Sequence, residues 1–374
     1  MSRPLRAMII ASGDLWAGAE AQIHALACAL AARGDVTPSL VVFNDGELRA
    51  RIQAAGIRCH CLDERTLSPW ALLRGLRREM QDVRPDVVHT HRPKEHILGA
   101  LAARSLGIPS LRTVHGMPEH LPSGFAPARR LARAADTWCA RRLQRAVVSV
   151  SDDLAPRLRT RFAGADVVTI VNGIDAARVN AQAAGTAEHA QLLDADAIHI
   201  GFVGRLVEVK RPHMLLALLD ALEAIEPTGG PHYRLHVIGD GPLLPAFAAA
   251  ADARVRAGEV VLHGFQPAPG ALMRQLRALL FTSDHEGLSI AALESLALGV
   301  PVVSRPVGGM CDLVRDGADV HVPATDDVAA LAQVLRAVVH RTAAPAQALP
   351  ARYTIERTAR NYRDLYARCA GPSP

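Results

Sequence analysis

Two carboxylates eight residues apart, Glu286 and Glu294, stand in the run Ser283-Asp284-His285-Glu286-Gly287-Leu288-Ser289-Ile290-Ala291-Ala292-Leu293-Glu294. A helix starting near Ser289 and stopping at Gly299, ahead of Pro301, puts Glu286 in the preceding loop and Glu294 in the second helical turn. Free backbone N–H groups at such a helix start attract phosphate, and a carboxylate on either side suits the hydroxyls of a ribose and a hexose. Ala291, Ala292, Leu293, Leu296 and Ala297 make the helix apolar nearly all round, so Glu294 departs from the usual solvent-facing helical glutamate and needs a partner. Upstream, Gly204-Arg205 closes an apolar run and Lys210 follows. A guanidinium and an ammonium at one strand end clamp an anion, above all a diphosphate, although basic residues also follow strands for solubility alone. In the first half, Gly18 of the loop Gly13-Asp14-Leu15-Trp16-Ala17-Gly18-Ala19-Glu20 lets backbone approach a ligand. A lone strand-end histidine is usually structural, but His89-Thr90-His91 and Thr113-Val114-His115-Gly116 put three at two adjacent strand ends, which points to a site.

The elements that position these residues follow from length and pattern. The chain has 374 residues, 49% apolar and 21% charged, enough for two domains that each bury a core. Disordered, collagenous and disulfide-scaffold classes are excluded. No apolar run reaches the roughly 18 to 20 residues of a membrane span, and Met8 to Ser12 is too short for a secretory signal core, so a cytoplasmic protein is expected. Six cysteines without a CxxC pair read as reduced thiols and not as a metal site.

Short β-branched runs alternate with Ala- and Leu-rich helical stretches: Met8 to Ile10, a helix near Ala19 to Ala32, Leu40 to Phe43, a helix near Glu47 to Ala55, Asp86 to His89, and Ile97 to Ser105. The pattern restarts with strands at Ile198 to Val203, Leu235 to Ile238, Val260 to Leu262, Ala278 to Phe281 and Val302 to Val303. Strands separated by helices imply an α/β fold of two doubly wound parallel sheets, which bind ligands at the carboxyl ends of their strands where strand order reverses. The expected division is a first domain over residues 1–180, a linker over 181–197 that is poor in large apolar side chains, and a second domain over 198–352. The last helix, near Thr354 to Arg368, carries Tyr362, Leu365 and Tyr366 on one face and must dock.

Charge is uneven. Residues 1–172 hold 24 Lys and Arg against 16 Asp and Glu, and the remainder 18 against 21. Much of the excess lies at Arg74, Arg77 and Arg78 after Trp70, and at Arg129, Arg130, Arg133, Arg141, Arg142 and Arg145 with Phe125 and Trp138 interleaved. A basic helix carrying aromatics can lie on an anionic membrane, though a solvated arginine-rich face has the same composition. With 4% aromatic residues and no recognised motif, nucleic acid is not expected as a partner.

Taken together, Gly204-Arg205-Leu206 with Lys210, Val237-Ile238-Gly239-Asp240-Gly241-Pro242, the Glu286 to Glu294 pair, Gly299-Val300-Pro301-Val302-Val303 with Val307-Gly308-Gly309, and Asn172-Gly173-Ile174-Asp175 resemble the retaining family 4 glycosyltransferases of the GT-B fold. The resemblance covers nearly the whole chain in the right order. It implies two Rossmann-like domains facing across a cleft, with the acceptor on the first and a nucleotide sugar on the second, and the last helix (353–374) returning to the first domain. It further implies that Arg205 and Lys210 bind the donor diphosphate, Glu294 the ribose and Glu286 the transferred sugar. Gly287, Leu288, Ser289 and Ile290 would supply backbone contacts to sugar and phosphate. Gly264 and Phe265 would line the nucleobase pocket, His115 would stand near the reacting carbon, and Gly18 would belong to the loop closing over the phosphates. No cofactor or metal is implied. UDP-sugars are the most frequent donors of such relatives, ahead of GDP- and ADP-sugars. His91, Arg92, Pro93 and Lys94, with Met117 to His120, are expected on the acceptor side, where Arg92 and Lys94 would meet an anionic glycan or lipid-linked acceptor in bacterial polysaccharide, lipopolysaccharide or glycolipid assembly.

Three places depart from the pattern: Ala17 and Arg211 stand where glycines are usual, and Asp316-Gly317-Ala318-Asp319-Val320-His321-Val322 lacks a second glycine often found there. No Gly-x-Gly-x-x-Gly follows the first strand and Gly18 is followed by Ala-Glu, against a nicotinamide enzyme and a P-loop nucleotidase. A sugar-nucleotide 2-epimerase and a non-catalytic relative of the same fold stay open. Asp194-Ala195-Asp196 is the one Asp-x-Asp available to a metal-dependent transferase, and it is expected to face solvent.

Overall fold

The computed structural model describes residues 3–116, 127–185, 197–227, 230–341 and 349–371. The chain divides into two compact units, Met1–Gly173 with Arg352–Pro374, and Ile174–Ala351.

The first unit contains β1 (Leu5–Ala11), α1 (Gly18–Arg33), β2 (Val36–Val42), α2 (Glu47–Ala54), β3 (Cys59–Cys61), α3 (Pro69–Val83), β4 (Val87–Thr90), α4 (Pro93–Ser105), β5 (Ser110–Val114), α5 (Pro127–Arg142), β6 (Gln144–Ser149), α6 (Leu154–Arg161) and β7 (Val167–Thr169). Its seven strands are all parallel, in the order β3-β2-β1-β4-β5-β6-β7. Order therefore reverses between β1 and β4, and the loops after those strands carry Gly13–Gly18 and His91.

The second unit contains α7 (Ala176–Gly185), β8 (Ala197–Val203), a 3-10 turn (Glu208–Lys210), α8 (His213–Ile225), β9 (His232–Ile238), α9 (Leu244–Ala250), α10 (Asp252–Arg256), β10 (Val260–Gly264), α11 (Gly270–Met273), β11 (Ala278–Phe281), α12 (Ile290–Ala297), β12 (Val302–Ser304), α13 (Gly308–Arg315), β13 (Val320–His321) and α14 (Val328–Val339). Its parallel order is β10-β9-β8-β11-β12-β13, so reversal falls between β8 and β11. Arg205 and Lys210 follow the first of these strands, and Glu286 and Glu294 follow the second. Ile200, Phe202, Leu235, Val237 and Leu280 from the sheet are buried against Leu215, Leu218 and Leu222 of α8 and Leu331 and Leu335 of α14.

The last helix, α15 (Ile355–Ala370), belongs to the first unit. Tyr362, Leu365 and Tyr366 sink among Leu26, Leu30, Val87, Leu111 and Val148. Thr354 caps its start by accepting from Arg357 N, and the Thr358 hydroxyl donates to the Val171 carbonyl over 3.0 Å.

The division between units falls at Gly173–Ile174, not near residue 180. Residues 176–185, expected in part as linker, form α7 and belong to the second unit. Asn180 Nδ2 donates to Ala297 O over 3.0 Å, Arg274 donates to Asn180, and Ala183 is buried beside Gly270. Small residues there let helices approach closely instead of forming a spacer. Residues 186–196, including Asp194 and Asp196, lie outside the described ones.

Candidate functional site

In the second unit the sequence-distant charges are brought to one end of the sheet. The loop after β8 is tied to the loop after β11: Asp284 N donates to Val209 O (2.8 Å), and Thr282 Oγ1 donates to Lys210 O (2.7 Å). Lys210 Nζ is ion-paired with Glu286, whose Oε1 also accepts from Ser283 Oγ at 2.7 Å. The expected diphosphate cation and sugar-binding carboxylate therefore hold each other. Arg205 is exposed and has no acidic partner among the described residues. Arg211 takes the left-handed conformation, φ 45° and ψ 55°, which explains why glycine is usual at this position. Its ion pair with Asp284 (3.2 Å) offsets part of the backbone cost.

Ser289 caps α12, accepting from Ala292 N. Leu288 and Ile290 are buried, and Glu294 projects from the second turn. Glu294 is half-buried, with no hydrogen bond or ion pair from its carboxyl among the described residues, and burial alone pushes that carboxyl up to about 7. The partner that its surroundings demand is thus not supplied within the described part of the chain.

Two glycines explain how the loops pack. A Cβ on Gly308, which has φ +47°, would lie 1.8 Å from Glu286 O, and Gly309 N donates to Gly287 O at 2.9 Å. A Cβ on Gly239 would lie 1.9 Å from Gly204 O, while Gly239 N donates to Gly264 O at 2.8 Å. Phe265, next to Gly264, leaves 54% of its surface exposed, available for stacking by an aromatic ligand.

In the first unit, Ala17 is extended (φ −139°, ψ −175°), so its departure from glycine strains nothing, and Gly18 begins α1. His91 Nδ1 and His115 Nε2 are 2.9 Å apart in stacked rings. His89 is fully buried between Tyr366 OH and Thr113 Oγ1, each 2.7 Å away, and Thr113 meets Tyr362 OH at 2.7 Å. Burial lowers His115 to about 4 and His91 well below the ordinary histidine value, so both are neutral near pH 7. The roles of Thr113, Tyr362 and Tyr366 in this network were not read from sequence, because α15 reaches β4 and β5 from some 250 residues away.

Arg92 and Lys94 already have acidic partners within the first unit. Arg92 is ion-paired with Asp14 and with the buried Glu20, and Lys94 with Glu64. Met117 to His120 lie outside the described residues.

This arrangement matches known proteins along most of its length. Residues 16–178 match the family described as Glycosyltransferase Family 4, and residues 197–341 match Glycosyl transferases group 1. The 2-deoxystreptamine N-acetyl-D-glucosaminyltransferase of Streptomyces fradiae is 30% identical over 77% of this chain and 73% of its own. The D-inositol 3-phosphate glycosyltransferase of Saccharomonospora viridis is 30% identical over 76% and 72%. Among solved structures, a Rickettsia africae glycosyltransferase superposes with TM-score 0.75 at 16% identity, covering 99% of this chain and 100% of that one. Anabaena HepE in complex with UDP and glucose superposes with TM-score 0.73 at 18% identity, covering 97% and 95%. With two parallel Rossmann-like sheets, the expected motif residues at their reversal points and relatives matched over both units, the chain belongs to the family 4 glycosyltransferases of the GT-B fold.

Proposed function

We propose that this glycosyltransferase moves a sugar from a UDP-sugar to an acceptor hydroxyl with retention of anomeric configuration and without a metal ion. The observation that carries the reading is the second unit's sheet end, where an exposed Arg205, the Lys210–Glu286 ion pair and the half-buried Glu294, unpartnered among the described residues, flank the start of α12. A nucleoside diphosphate sugar complements this set. Its diphosphate takes Arg205 and Lys210, its ribose hydroxyls donate to Glu294, and Glu286, released from Lys210, accepts from the hydroxyls of the transferred sugar. Backbone at Gly287 to Ile290 adds N–H donors, and Phe265 stacks on the base.

As the glycosidic bond lengthens, negative charge grows on the departing diphosphate, where Arg205 and Lys210 stabilise it in place. The acceptor hydroxyl enters from the leaving-group face and passes its proton to the diphosphate oxygen, while His115 orients the sugar. A neutral polyol asks for no release of Arg92 and Lys94 from their acids, whereas an anionic acceptor asks of them the same release that the diphosphate asks of Lys210. The cyclitols named for the two relatives, 2-deoxystreptamine and D-inositol 3-phosphate, bracket that choice with a cationic and an anionic test compound. We also place peripheral contact with an anionic membrane on α5, where Leu131 and Trp138 are 72% and 51% exposed among arginines.

Lys210→Ala and Glu294→Ala are each expected to cut transfer by about 100-fold, the scale of one lost electrostatic contact. Initial rates with a UDP-sugar panel and chelator present check this, and near-wild-type turnover in either variant contradicts the assignment. Anomeric proton couplings of the product report retention or inversion.

A further inference from the structure

The hydrogen bond between His91 and His115 has a direction that the surroundings decide. Both rings are neutral, so each has one N–H and one bare nitrogen, and the 2.9 Å contact between His91 Nδ1 and His115 Nε2 needs one of each. His91 is 4% exposed, and its second nitrogen, Nε2, is buried with no hydrogen-bond partner among the described residues. If His115 donated, the proton of His91 would sit on Nε2 as a buried N–H aimed at nothing. If His91 donates, Nε2 is only an unmatched lone pair. Orphaned buried N–H groups are the rarer of the two defects, so the second arrangement wins. Accepting at Nε2 leaves His115 with its proton on Nδ1.

We infer that His91 is a positioning residue that locks His115 as the Nδ1–H tautomer, making it a hydrogen-bond donor toward an oxygen of the transferred sugar. The inference rests on the proposed role of His115 and adds the atom that does the work. The environment holds His91 rigidly enough for this. Its ring lies 4.1 Å from that of His89, which is fixed at both nitrogens by Tyr366 and Thr113. The hydroxyls of α15 therefore buttress the pair through His89. Rotating the His91 ring to exchange its nitrogens would break the bond between Nδ1 and His115 and disturb the packing against His89.

The test reads the tautomer directly. In full-length protein labelled with 15N-histidine, long-range 15N–1H correlations distinguish a protonated from a bare nitrogen on each ring. The expected result is His115 protonated at Nδ1 and His91 at Nδ1. A wild-type His115 protonated at Nε2 overturns the inference, whatever the enzyme's activity. Among variants, His91→Leu removes the donor and is expected to lower kcat about tenfold or more, with donor KM and UDP affinity unchanged. His91→Asn restores an N–H near the position of Nδ1 and is expected to recover most of that loss together with the Nδ1–H signal of His115. If Asn and Leu are equally impaired while both fold with wild-type melting temperatures, His91 does not act through a donated proton and the inference fails. A correct tautomer combined with an inert His115→Ala substitution would instead remove the proposed catalytic role of His115 and leave the wiring intact.

Discussion

At the residue scale, the most informative group is Glu294. Its folded carboxyl titrates near 7 against an ordinary 4.5, so between those values the native protein keeps a proton that the unfolded chain has released. Stability from this group is fully present below pH 4.5 and is lost as pH rises through 7. Glu294→Gln is therefore expected to stabilise the ligand-free protein by on the order of 2 kcal/mol at pH 8, the gain shrinking toward pH 4. Thermal unfolding across that range measures it; a gain that is constant with pH would place the effect elsewhere. The same carboxyl must ionise to accept ribose hydroxyls, so the residue that weakens the fold at pH 8 is the one that serves the ligand. That Glu294 is out of place was legible in the sequence, from the apolar residues around it. That no described residue partners it was not, because partners come from other elements. Arg211 shows the reverse: its departure from glycine was visible, but only the left-handed backbone gives the reason.

At the element scale, the apolar runs bounded by charge or glycine placed β8, β10, β11 and β12 to within two residues, whereas β9 starts three residues earlier, at His232, in a polar stretch, and β13 (Val320–His321) is too short to stand out as a strand. Ile198 to Val203, for example, is β8 apart from one residue. It also placed α12 between Ser289 and Gly299, because cap and stop residues are local signals. What was hidden is how loops meet. Lys210 and Glu286 are 76 positions apart and pair only because the sheet sets β8 beside β11. Gly308 is a spacer in that assembly, allowing the loop after β12 to lie against Glu286. Gly308→Ala is expected to destabilise the protein by about 2 kcal/mol or more, through both the positive φ and the 1.8 Å clash, and to weaken UDP binding by displacing Glu286. Unfolding and calorimetry together check this, and an unchanged Tm would mean the loops are not locked.

At the scale of the whole molecule, two similar sheets carry unlike surfaces. The excess positive charge in residues 1–172 lies partly on α3 and α5, which both pack against α4 and so share one helical layer of the first unit. Trp70 on α3 is 74% exposed, joining Leu131 and Trp138 of α5. Cosedimentation with phosphatidylglycerol vesicles is expected at low salt and to fall away near 0.5 M salt, and Leu131→Ser with Trp138→Ser is expected to reduce it about tenfold or more. Equal binding to neutral vesicles would refute an electrostatic surface. The division at Gly173 was misplaced from sequence because α7, rich in alanine and poor in large side chains, looks like a linker and packs like a helix. The central claim is that the second unit's sheet end is a nucleoside diphosphate site. Calorimetric titration with UDP, chelator present, tests it most directly: the account predicts micromolar binding that weakens about 100-fold in Lys210→Ala and falls with pH below 7 in wild type but not in Glu294→Gln. Absence of binding by UDP, GDP and ADP alike, or binding indifferent to both substitutions, would contradict it.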